Sequence, residues 1–201
     1  MFAKIIEKLE ELKNLDTRFE VFGAEAHQYI FNPKLEEETI TLFEEKHKIK
    51  LPENYRYFLL NIGNGGCGPG SGLLKLETGV YDIPFNKQNS EIITLKNEFR
   101  FTNFWNLEEF PKEDYDLWEN EYDKIKWTDG MLRINHLGCG IYSNLIITGK
   151  ERENIWIDSR SNEIGVYPAY DSNNNLKNDF LSWYLNWINY SINEFKTDKK
   201  T

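Results

Sequence analysis

Apolar residues recur at steps of three and four near the start of the chain: Phe2, Ile5, Ile6, Leu9, Leu12 and Leu15. That spacing marks one helical face, so a helix with a single buried stripe is predicted. From 16 to 31 the period is lost, although Phe19, Phe22 and Tyr29 imply packing. Asn32-Pro33 reads as an N-cap followed by proline in a first turn. Glu36, Glu37 and Glu38 suit the positive end of that helix, which is expected to reach about His47. Leu51-Pro52 opens another helix, with Tyr55, Phe58, Leu59 and Ile62 on one face. Six of the ten residues from Gly63 to Gly72 are glycine. Gly63 is expected to close the helix in the left-handed conformation, and the rest is too permissive for regular structure.

A strand is predicted over 73–77, and residues 78–106 alternate only weakly. After Pro111, the residues Tyr115, Trp118, Tyr122 and Ile125 share one helical stripe. Three β-like runs follow at 131–135, 140–148 and 154–158, the last two joined by a turn at 149–153 that makes them a hairpin. Residues 165–170 are expected to add an edge strand, because Pro168 cannot donate to a central ladder. A final helix is predicted from an N-cap at Asn178, with Phe180, Trp183, Tyr184, Trp187 and Ile188 on its buried face. Helices and strands do not alternate. The predicted class is therefore α+β: a mainly antiparallel sheet flanked by N-terminal helices and a C-terminal helix.

Composition excludes several function classes. Hydrophobic residues are 40% of the 201 and aromatics 15%, enough to oppose the ordering entropy of folding. No apolar run approaches the ~20 residues of a membrane helix. The start MFAKIIEKLEELKNL has no long apolar core of a signal peptide. The expectation is a soluble, cytoplasmic protein with no membrane partner. The net charge of −9 opposes contact with phosphate backbones, so no nucleic-acid partner is expected. The charge is concentrated: from Glu108 to Asp123 there are eight acids and one base, a local charge of −7. Such a patch creates a directed field that steers basic partners. Its bland alternative is a solvated helix face.

Motifs for chemistry are weak. Gly63-x-Gly65-x-x-Gly68 matches the letters of a dinucleotide fingerprint, but a helix precedes it and Pro69 follows, the reverse of the context needed. Cys67 and Cys139 form no CxxC pair, and His27, His47 and His136 lack metal-ligand spacing, so no metal or cofactor is expected. His136 and Cys139 are neighbours in sequence; a catalytic thiol would need them and a carboxylate to converge in space. Trp183 and Trp187 are more simply core than sugar-stacking residues.

The stretch from Leu51-Pro52-Glu53-Asn54-Tyr55-Arg56 through Asn64-Gly65-Gly66-Cys67-Gly68-Pro69-Gly70 resembles the SUKH superfamily, which includes the fungal cell-wall assembly regulator and many bacterial toxin-immunity proteins. Further resemblance lies in Leu137-Gly138-Cys139-Gly140, Leu145-Ile146-Ile147-Thr148-Gly149, Ile155-Trp156-Ile157-Asp158 and the closing run Phe180-Leu181-Ser182-Trp183-Tyr184-Leu185 with Trp187. These pieces fall in family order between about 36 and 187. The resemblance implies a single SUKH-like domain, expected over 1–195; 1–31, a helical extension, and 86–126, an acidic insertion-like segment, do not match the family, and the charged 196–201 is expected to be a frayed tail.

The family carries no recognised catalytic motif, so the resemblance implies a non-catalytic binding module with no catalytic residues. Gly63, Gly65, Gly66, Gly68, Gly138, Gly140, Trp156, Trp183 and Trp187 are then structural. The expected role is an immunity protein that binds a cognate bacterial toxin, a basic domain such as a nuclease, through Glu113, Asp116, Glu119 and Asp123. Alternatives are a regulatory scaffold of the fungal type and an uncharacterised enzyme.

Overall fold

A computed structural model describes residues 1–82, 91–107, 120–171 and 176–198. Its helices are α1 (Phe2–Leu15), α2 (Ala24–His27), α3 (Glu37–His47), α4 (Glu53–Asn61) and α5 (Phe180–Asp198). A short antiparallel pair, β1 (Tyr81–Asp82) and β2 (Glu91–Ile92), precedes the main strands. Those are β3 (Met131–Gly138), β4 (Ile141–Ile146), β5 (Ile155–Ser159) and β6 (Gly165–Pro168), an antiparallel sheet in sequence order. The α+β class with N-terminal helices and a C-terminal helix is what the periodicity predicts.

Both faces of the sheet are covered. Leu132, Ile134, Leu145 and Ile155 face the helices, where Ile5, Leu9 and Leu12 of α1 meet Phe58, Phe180, Tyr184 and Ile188. Residues 1–31 thus enter the main core. The opposite face carries Met131, Ile146, Trp156 and Val166 under Phe99 and Phe101, with Trp105 and Trp127 packed at the margin. Both edges are blunted. The Leu74 amide donates to Ile134 at 2.8 Å beside β3, and Trp105 exchanges two backbone bonds with Val166 beside β6, at 2.9 and 2.8 Å.

Several local expectations are corrected. The third helix starts at Glu37, not after Pro33, because Asn32 is engaged elsewhere: its amide donates to Gly65 and its side chain to Asn64, both at 3.0 Å. Residues 73–77 form no strand; Leu73 makes isolated bridges to Gly66 and Asn135 before the chain turns. Gly63 is not left-handed. It is small because a Cβ there would lie 2.6 Å from the Asn32 carbonyl oxygen. Gly65 and Gly66 do hold φ of 79° and 94°. The cap of α5 is Asp179, whose carboxylate accepts from the Ser182 amide at 2.7 Å; Asn178 instead donates to the Tyr170 carbonyl. Trp183 and Trp187 are half-buried, packed at the margin of the core. Helix α5 continues through Asp198, and Lys196 reaches Glu11 of α1 at 2.7 Å.

Candidate partner-binding surface

Of the four predicted contact residues, Glu113, Asp116 and Glu119 lie outside the described residues, and Asp123 lies within them. The structure shows how the C-terminal end of the acidic segment is fastened. Residues 120–122 are helical, and Tyr122 is buried. Its hydroxyl donates to Asn106 Oδ1 at 2.5 Å, and its ring stacks on Trp105 with centroids 5.8 Å apart. Asn106 also donates to the Glu163 carbonyl at 2.9 Å. The C-terminal end of the segment is thus tied to the residues just before it and to the sheet margin.

Next comes an aromatic and cationic cluster. Trp127 lies 4.4 Å from Trp105 and donates its indole N–H to the Glu121 carbonyl at 2.8 Å. Arg100 and Lys126 sit over its ring at 5.0 and 4.6 Å, a cation–π arrangement. Glu121 pairs with Lys124 and Lys126, and those hydrogen bonds hold its carboxyl below the usual range. One acid of the predicted patch is therefore already neutralised by its neighbours.

Beneath this lies a buried ionic network. Arg160 donates to Asp158 from Nε and Nη2, both at 2.9 Å, and from Nη1 to the Tyr122 carbonyl at 2.8 Å. Arg133 bonds Asp82, and Asp158 at 3.4 Å. The Tyr142 ring covers the Arg133 guanidinium at 3.7 Å, while Nε and Nη1 of Arg133 have no hydrogen-bond partner among the described residues. Burial pushes the Asp158 carboxyl up, but Arg160 and Arg133 together pull it below its ordinary value. Burial opposes the charge on Arg160, and Asp158, Asp82 and Asp123 outweigh it. Asp123 is half-buried and adds to the field around Arg160, so it belongs partly to this network.

Sequence reasoning missed this network. The available signal was Arg133 and Asp158 within otherwise apolar strands, on the positions that share a face with Met131 and Trp156. Trp156 is fully buried, with Phe99 edge-on at 4.9 Å. Gly138 and Gly140 hold φ of 98° and 74° around Cys139 in the exposed β3–β4 turn. His136 lies on β3 against the Tyr142 ring at 4.7 Å. Burial and Arg133 keep its imidazole below the ordinary value. Cys67 is buried, and burial pushes its thiol up to about 12. Among the described residues no group of three or more His, Cys, Asp or Glu could hold a metal ion. No described helix is long and apolar enough to cross a membrane.

A family model described as the SMI1 / KNR4 family (SUKH-1) matches residues 34–185. No curated protein and no solved structure matches the chain.

Proposed function

The chain belongs to the SMI1/KNR4 family (SUKH-1), and from that premise we propose that it is a non-catalytic binding module of the cytoplasm, an immunity protein that neutralises a bacterial toxin by direct contact. The observation that carries the reading is the charge of −7 between Glu108 and Asp123, inside the matched span. A nuclease toxin is basic because its substrate is a polyanion, and an acidic inhibitor competes for the same field. The fastening of Tyr122 to Asn106 supports the reading, since a contact segment held at its base loses less freedom on binding.

The test is co-expression with each product of the neighbouring genes that ends in a toxin-like domain. A stoichiometric complex and restored growth are expected with one of them. Failure to co-purify with or protect against any of them overturns the proposal and favours the regulatory scaffold.

A further inference from the structure

A cleft of about 200 Å³ opens between the C-terminal end of α3 and the chain after β2. Water occupies about 30 Å³ per molecule in the liquid, so the cleft has room for one small anion and part of its hydration. Lys46, His47, Lys48 and Lys96 line it over a floor formed by 92–95, and among the described residues no carboxylate lines it. In a chain with net charge −9, that is an inversion of sign. Lys50 is engaged by Glu44 and Arg56 by Glu37, but Lys46, Lys48 and Lys96 meet no carboxylate among the described residues. The turn ending α3 uses the Lys48 and Ile49 amides on the carbonyls of Glu45 and Glu44, at 3.2 and 3.0 Å. In the floor, Ile93 and Leu95 turn into the core, while Ile92 is 59% exposed.

We propose that this cleft binds a small organic anion, a phosphate or carboxylate carried on an apolar group. The lysines supply a concave positive field that concentrates anions, and Ile92 gives the apolar group a contact. His47, tilted against the Phe43 ring with centroids 4.5 Å apart, sits in the same cleft and reports its charge. Burial and Lys46 hold its imidazole below the ordinary value.

The chain has three histidines, so proton NMR can follow each imidazole separately. The 201-residue chain is titrated in sodium chloride, in inorganic phosphate and in phenyl phosphate at matched ionic strength. Phenyl phosphate is expected to raise the His47 midpoint by about one unit, as an opposite charge at contact distance does. His27 and His136 should stay in place, and inorganic phosphate should require a higher concentration for the same shift. The exposed double variant Lys46→Gln/Lys96→Gln should lose the response while keeping its unfolding midpoint. An unmoved His47, a common shift of all three histidines, equal response to both phosphates, or a response retained by the variant would each overturn the proposal.

Discussion

Gly65 and Gly138 both hold positive φ, 79° and 98°, yet a side chain would meet different surroundings at each. At Gly65 a Cβ would lie 2.6 Å from the Leu74 carbonyl oxygen, whereas at Gly138 nothing among the described residues lies within 4 Å. Gly138→Ala should therefore cost only the left-handed penalty, about 1–2 kcal/mol. Gly65→Ala adds displacement of backbone and should cost about 3 kcal/mol or more. Urea unfolding of the two variants side by side measures the difference, and equal losses would show that the glycine loop yields freely. Asp158 makes a second case. Replacing it with Asn leaves Arg160 and Arg133 buried with one carboxylate fewer, at a cost of about 3–5 kcal/mol. The sign of its pH effect follows from the depressed folded value. Its contribution is present above the unfolded value of about 3.9 and is lost as pH falls through the folded one. Wild type should lose stability steeply below about pH 4, and Asp158→Asn should show a shallower slope there. Unfolding midpoints at several pH values between about 2 and 7 check both statements.

At the scale of elements, α5 depends on its cap and its packing. Asp179→Ala should cost about 1 kcal/mol by freeing the Ser182 amide. Trp187→Ala should cost less than the ~3–5 kcal/mol of a fully buried ring, because Trp187 is half-buried against Tyr184 and His27. Thermal unfolding of both variants orders the two effects, and a larger loss at Asp179 would mean that the ring contacts contribute little. The contrast explains what could be read in advance. Helices α1, α4 and α5 were legible because their apolar period is long and local. The hairpin of β4 and β5 was legible because its strands flank a short turn. Asn32 misled because an N-cap residue also serves as a donor to distant backbone, here the Asn64 carbonyl. The Arg133–Asp82 contact spans 51 residues and the Arg133–Asp158 contact 25, separations that no local pattern encodes. The acidic segment was visible as composition, but the charge coupling of Asp123 to Arg160, far along the chain, was not.

At the scale of the whole molecule, the long-range field decides how a basic partner arrives. Asp123 is a poor position for testing that field, because a lysine there would stand in the surroundings of Arg160 and weaken the network. The cleaner variant is Glu113→Lys/Asp116→Lys/Glu119→Lys. Each exchange changes the charge by two, so the total moves from −9 to −3. Against a basic toxin at low ionic strength the association rate should fall about tenfold or more, since steering acts before contact. In about 1 M salt the screening length is near 3 Å, and the two proteins should associate at similar rates. The wild-type rate should therefore fall with salt much more steeply than the variant's. Stopped-flow association at two ionic strengths gives both slopes, and urea unfolding of the free variant checks that its stability is kept. Equal rates at low salt would move the contact away from the acidic segment. A rate loss that persists at high salt would instead mean that these side chains act by direct contact, which a double-mutant cycle against the toxin's lysines would then resolve.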